Sequence, residues 1–180
     1  MKKNYDFNVR WTAFPLHPET PDDGITLEEL FAGKPINIKK AMARLKQVAD
    51  ELGLPLGERK KTYNSRLAQE LAKWAESEGK GDPFHEAVFR AYFVDGKNIG
   101  RVDELVALAK LIGLPEKKAR SVLELKTFKE AVDSDWLRSH ALGITAVPTF
   151  VVENQATVGF QPYERLERFI RGCRIKARNP

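Results

Sequence analysis

The sequence predicts an α/β fold in which a small sheet is interrupted by a long helical insertion. Three observations carry that prediction. Residues 5–13 alternate polar and apolar side chains, about 120 residues further on repeat theirs with a helical period, and residues 149–158 return to short extended runs before one last helix. The chain of 180 residues is 42% hydrophobic, 9% aromatic and 31% charged. That balance supports one globular domain, or one carrying a large insertion, and excludes disorder and fibrous repeats.

Taken in order, Tyr5, Phe7, Val9, Trp11 and Ala13 fall on one face of the first segment and Asp6, Asn8, Arg10 and Thr12 on the other, which predicts a half-buried strand at a sheet edge. Phe14-Pro15-Leu16-His17-Pro18 ends it, since two prolines cannot continue a ladder. Pro21-Asp22-Asp23-Gly24 is a turn. Thr26 then caps a short helix, with Glu29 as the return half of a capping box. Ile38, Met42, Leu45, Ala49 and Leu52 lie at i, i+4, i+7, i+11 and i+14 of a second helix, which Gly53-Leu54-Pro55 stops.

Asn64 or Ser65 opens a third helix with Leu67, Leu71 and Trp74 on one stripe. Asp82-Pro83 reads as the cap and first-turn proline of a fourth, which carries Phe84, Val88, Ala91 and Tyr92. Val102, Leu105, Val106, Ala109 and Ile112 mark a fifth, stopped by Gly113-Leu114-Pro115, and residues 116–123 and 127–142 complete the helical block. Beyond Gly143, residues 149–152 and 156–158 flank the polar Glu153-Asn154-Gln155 as a hairpin. Gly159-Phe160-Gln161-Pro162 leads to the final helix, with Tyr163, Leu166, Phe169 and Ile170 on one stripe.

Most of the net charge of +5 belongs to the tail, where six basic residues stand against two acidic ones from Glu164 onward. Cations suit the end of a terminal helix, so neither nucleic acid nor a membrane is an expected partner. No apolar leader follows Met1-Lys2-Lys3 and no run is long enough to span a bilayer, so a cytoplasmic location is expected. His17, His85 and His140 have no ligand or triad spacing, and no phosphate loop, metal motif or cofactor motif occurs. No metal or cofactor is therefore expected. The single cysteine excludes an intrachain disulfide and a Cys-x-x-Cys pair within these residues. Cys173 itself, at the end of the last helix and without a resolving partner, reads as inert.

The informative segment is Gly143-Ile144-Thr145-Ala146-Val147-Pro148-Thr149-Phe150-Val151-Val152. A proline entering a buried strand removes a ladder donor. From the residues alone, a cis Val147–Pro148 bond that offers the Val147 backbone to a substrate peptide and a trans proline at a strand start fit equally.

This loop, followed by a hairpin and a terminal helix, resembles the cis-proline loop of thioredoxin-fold proteins. Val9-Arg10-Trp11-Thr12-Ala13-Phe14-Pro15-Leu16-His17-Pro18, Tyr63-Asn64-Ser65-Arg66, Phe89-Arg90-Ala91-Tyr92-Phe93 and Gly159-Phe160-Gln161-Pro162 narrow the likeness. Together they resemble the cytoplasmic, FrnE-like branch of the DsbA family, over about residues 5–172. The resemblance implies a thioredoxin-like sheet, residues 1–25 and 143–176, with a helical domain, residues 26–142, inserted into it.

It also implies thiol–disulfide oxidoreductase chemistry, in which a Cys-x-x-Cys thiolate at a helix N-terminus attacks while the proline loop holds the substrate. Only the second half carries over: Ala146, Val147, Pro148 and Thr149 are the expected substrate-binding residues, and no catalytic residue is assigned. By the family pattern, the first core strand and active-site helix, roughly 30 residues, would precede Met1. Three accounts of that gap are open: a segment bearing the cysteine pair precedes Met1, a neighbouring strand or partner chain fills the gap in a redox-inactive relative, or the segment carries serine. The expected partners are a thiol- or disulfide-containing protein, or a small thiol such as glutathione, with self-association as a homodimer. The alternatives to a disulfide oxidoreductase are a glutathione-dependent isomerase or transferase of the hydroxychromene-carboxylate isomerase (kappa) type and a non-catalytic peptide-binding module.

Overall fold

The computed structural model describes residues 1–178. Its contacts divide the chain into two compact units, one of His17–Asp133 and one of Met1–Leu16 with Ser134–Pro180.

The His17–Asp133 unit begins with a two-residue strand β1 (Ile25–Thr26) and the one-turn helix α1 (Leu27–Leu30). The expected capping box is formed: Glu29 N–H donates to Thr26 Oγ1 at 3.1 Å, and Thr26 N–H donates to Glu29 Oε2 at 2.7 Å. Helix α2 (Ile38–Glu51) follows, capped by Asn37, and strand β2 (Lys61–Thr62) pairs antiparallel with β1. This short ladder has no sequence signal, because two residues are too few to show a period.

Helices α3 (Arg66–Ser77), α4 (Gly81–Phe93), α5 (Val102–Leu111) and α6 (Glu116–Glu124) build the core. Leu71, Trp74, Phe84, Leu105 and Ala109 are removed from solvent, and these are positions the helical periods pick out; Ala119 is buried with them. Helix α4 starts earlier than the Asp82-Pro83 reading, with Lys80 as its cap and both residues in its first turn. The stripe of α2 behaves differently. Ile38 and Met42 are only half-buried, Leu45 and Leu52 are exposed, and Ala49 alone is buried.

Two motif residues act as braces in this unit. Asn64 Nδ2 donates to the carbonyls of Pro18 and Thr20, while its Oδ1 accepts from the N–H of Arg66, the first residue of α3. Arg66 donates to the buried Glu70 at 2.6 Å, to Asp133 at 2.7 Å and to the carbonyl of Lys129. That pairs Oε1 of a carboxylate whose burial is costly without a partner, while its Oε2 is buried without one among the described residues.

Helix α7 (Lys129–Ala141) runs out of this unit into the other. There β3 (Thr149–Val152) and β4 (Gln155–Val158) form an antiparallel hairpin, Val152 opposite Gln155, and α8 (Tyr163–Gly172) follows. Glu153 turns the hairpin with a positive φ of 51°.

The expected strand at residues 5–13 does not form. Tyr5 alone makes a bridge, to Ala177, and its hydroxyl donates to Glu167 and accepts from Arg171, each at 2.7 Å. The remainder is extended without a ladder, and Val9 and Trp11 are exposed. What holds it instead is the buried carboxylate of Asp135, which accepts from Ala13 N–H at 2.9 Å and from Arg10 at 3.1 Å. Period two marks a chain suited to pairing, but a strand exists only where a neighbouring backbone takes its N–H and C=O groups. Among the described residues no strand does so.

Candidate functional site

The loop after α7 is built by local hydrogen bonds. Gly143, with φ of 66°, ends the helix, its N–H donating to the carbonyl of His140 while Ile144 N–H donates to that of Ser139. This is glycine's usual service at a helix C-terminus. Thr149 Oγ1 then donates to the carbonyl of Ala146 at 2.6 Å, looping over Val147 and Pro148. Gly159 N–H donates to the carbonyl of Pro148 at 2.7 Å and so ties the loop to the far end of β4. The Val147–Pro148 peptide is cis.

The result is a fixed frame around one open residue. Val147 is 44% exposed, and among the described residues neither its N–H nor its C=O takes part in a hydrogen bond. Phe150 and Val151 next to it are exposed as well, and the edge of β3 away from β4 pairs with no strand among the described residues. No residue from Gly143 to Val152 carries an ionisable side chain. The segment can therefore hold an extended backbone but cannot itself move protons or attack a bond.

The four residues expected to bind substrate, Ala146, Val147, Pro148 and Thr149, lie in this loop. The remaining candidates lie apart from it in sequence. Cys173 is 9% exposed and its N–H closes the last turn of α8 on Phe169. His85 faces Glu76 at 3.3 Å, and burial, with Lys34 and Arg59 adding to it, lowers the pKa of His17 below the usual histidine value. Among the described residues no group of three metal-ligating side chains converges and no helix is long and apolar enough to cross a membrane. Sequence reasoning missed Asp135. Val132, Asp135 and Ser139 share the spacing of a buried stripe and all three are buried, so an acid in an otherwise inward-facing register was the available signal.

A family model for the DsbA-like thioredoxin domain matches residues 1–171. The chain belongs to that family. A relative in Bacillus subtilis strain 168, the uncharacterized protein YwbO, is 29% identical over 177 residues, covering 93% of this chain and 83% of the relative. Among solved structures, a probable DsbA oxidoreductase from Streptomyces coelicolor superposes with a TM-score of 0.81 at 24% identity, over 90% of this chain and 73% of its own. A 2-hydroxychromene-2-carboxylate isomerase does so at 0.64 and 19% identity, over 75% and 64%. The cytosolic disulfide reductase DsbM of Pseudomonas aeruginosa, solved with GSH, gives 0.55 at 20% identity, over 76% and 78%.

At these identities the structural likenesses speak for the fold, which is the thioredoxin-like DsbA fold, mostly helical with small sheets. Within it the DsbA-like chain described here has one cysteine and hence no Cys-x-x-Cys pair among its 180 residues.

Proposed function

We propose that this chain contributes the polypeptide-holding half of a DsbA-type, FrnE-like thiol–disulfide oxidoreductase site. The observation that carries the reading is the open backbone of Val147, framed by Thr149 and Gly159 at the head of an unpaired β3 edge. In such exchange an attacking thiolate opens a substrate disulfide, one substrate sulfur leaves as thiolate, and a second thiol resolves the mixed disulfide, so two thiols are oxidised for each disulfide reduced. A cysteine-containing strand laid along Val147 would exchange backbone hydrogen bonds with it and present its sulfur beside the loop. The buried Cys173 offers no thiol pair for the step, so the chain by itself is inactive in exchange.

In this reading residues 1–25 and 143–176 are the thioredoxin-like core and residues 26–142 the inserted helical domain. The partner is a thiol- or disulfide-containing protein, and the setting is cytoplasmic, as for the cytosolic reductase among the similar structures. The same free edge supports pairing between two copies of the chain as a homodimer.

A glutathione-dependent isomerase or transferase is the second reading, favoured by the isomerase and the GSH-bound reductase among the similar folds. A peptide-binding module without catalysis uses the same loop and shares the peptide outcome. Amide chemical shifts decide between the peptide-holding and the glutathione readings. A cysteine-containing peptide is expected to shift Val147, Thr149 and Phe150, and Val147→Pro, which deletes the N–H, abolishes the response. Shifts at the same amides with glutathione and none with peptide would move the assignment to the second reading. No response to either would overturn both.

A further inference from the structure

The His17–Asp133 unit contains a recess that thiol exchange does not use. It encloses ≈260 Å³ and is lined by Leu27, Phe31, Ile38, Met42 and Leu45, with Arg59 as its only charged wall. The exposed stripe of α2 faces this recess, not the core. Arg59 is what makes the recess more than an apolar dent. Its Nε is buried with no hydrogen-bond partner, and among the described residues its guanidinium forms no ion pair. It lies over the ring of Tyr92, 5.3 Å from the centroid, a contact that holds the plane and leaves the buried Nε without an acceptor.

A buried donor without an acceptor is costly, and a planar fork of N–H groups is matched best by a carboxylate. The surrounding charge has the same sign. Lys34 Nζ sits 5.8 Å from the centroid of the lining Phe31. After burial, the larger cause, Lys34 and Arg59 both lower the pKa of His17, so the two cations act on a shared region. No acidic side chain lines the recess.

We propose that this recess binds a small amphiphilic carboxylate, its apolar body against Leu27, Phe31, Met42 and Leu45 and its carboxylate on the Arg59 guanidinium. The volume admits about ten non-hydrogen atoms at packed density, the size of a medium-chain fatty acid. Apolar walls with one convergent polar group are the usual build of a small-molecule site.

Calorimetric titration with octanoate, 1-octanol and octylammonium tests the assignment on the unaltered chain. Saturable one-to-one binding of octanoate is expected, at least ~10-fold tighter than octanol, with no binding of octylammonium. Arg59→Gln should weaken octanoate at least ~10-fold. Ala41→Trp, at a further lining position on α2, should fill the recess and abolish binding while circular dichroism stays native. Octanol binding as tightly as octanoate, no saturable octanoate binding, or undiminished octanoate affinity in folded Ala41→Trp would each overturn the proposal.

Discussion

The His17–Asp133 unit and the unit of residues 1–16 and 134–180 both carry apolar side chains at regular spacing, yet among the described residues only the first has a closed core. In the helical unit Leu71, Ala75, Phe84, Leu105 and Ala119 lose their entire exposure. In the other, the buried apolar residues are Tyr5, Ile170 and Cys173, while Val147, Phe150, Val151, Val158 and Phe160 stay between 39% and 59% exposed. The difference lies in where backbone hydrogen bonds are made. A helix satisfies its own N–H and C=O groups and needs only a neighbour for its stripe. A strand leaves half of its groups to the next strand, so its faces close only when the sheet does.

Core truncations give the largest contrast. Phe84→Ala should cost about 3–5 kcal/mol in urea unfolding, and Phe150→Ala below about 1 kcal/mol. Equal losses would show that the hairpin is covered in solution, as pairing with a second copy would require. Next, Arg66→Gln strands the buried Glu70 carboxylate, at about 3 kcal/mol. A loss under about 1 kcal/mol would mean the brace is solvated and the helical unit rests on apolar packing alone.

Thr26→Ala should cost about 1 kcal/mol by opening the capping box. The backbone and side-chain hydrogen bonds from Thr26 hold Glu29 below the usual carboxylate pKa. A lowered folded-state value means that this stabilisation is present above the unfolded value of about 4.3 and is lost as pH falls through the folded one. Glu29→Gln, which removes the charge that those bonds hold, should therefore flatten the acid limb of the stability profile, and an unchanged limb would remove the box from the account. Smallest of all, the chain should not accelerate insulin reduction by dithiothreitol, and Cys173→Ser should change nothing. A rate dependent on Cys173 would show that the thinly packed unit opens far enough to expose its buried thiol.

Legibility in the sequence follows the same division. The helices of the core were readable from Leu71, Trp74, Phe84 and Leu105, because a stripe at helical spacing already implies its own backbone bonding. The loop was readable at Val147-Pro148-Thr149-Phe150, because a proline entering a strand demands a local explanation. The strand at residues 5–13 was misread, since alternation states which face could be buried and not whether a partner backbone is present. Asp135 was missed although its inward-facing register was a signal. Arg59 was unreadable for a different reason: one arginine among thirty basic residues stands out only when the neighbours that desolvate it are in place.

By itself, the sequence determined the helical block, its caps and stops, the hairpin and the absence of a cysteine pair among these residues, all properties of short windows or of composition. Tertiary structure decided that the first alternating segment is clasped by Asp135 instead of a ladder. It also decided that Ile38, Met42 and Leu45 of α2 line an open recess and that, among the described residues, the buried Arg59 Nε has no hydrogen-bond partner. Those outcomes depend on which groups, far apart along the chain, compete for the same hydrogen bond or the same buried area, and no local period records that competition.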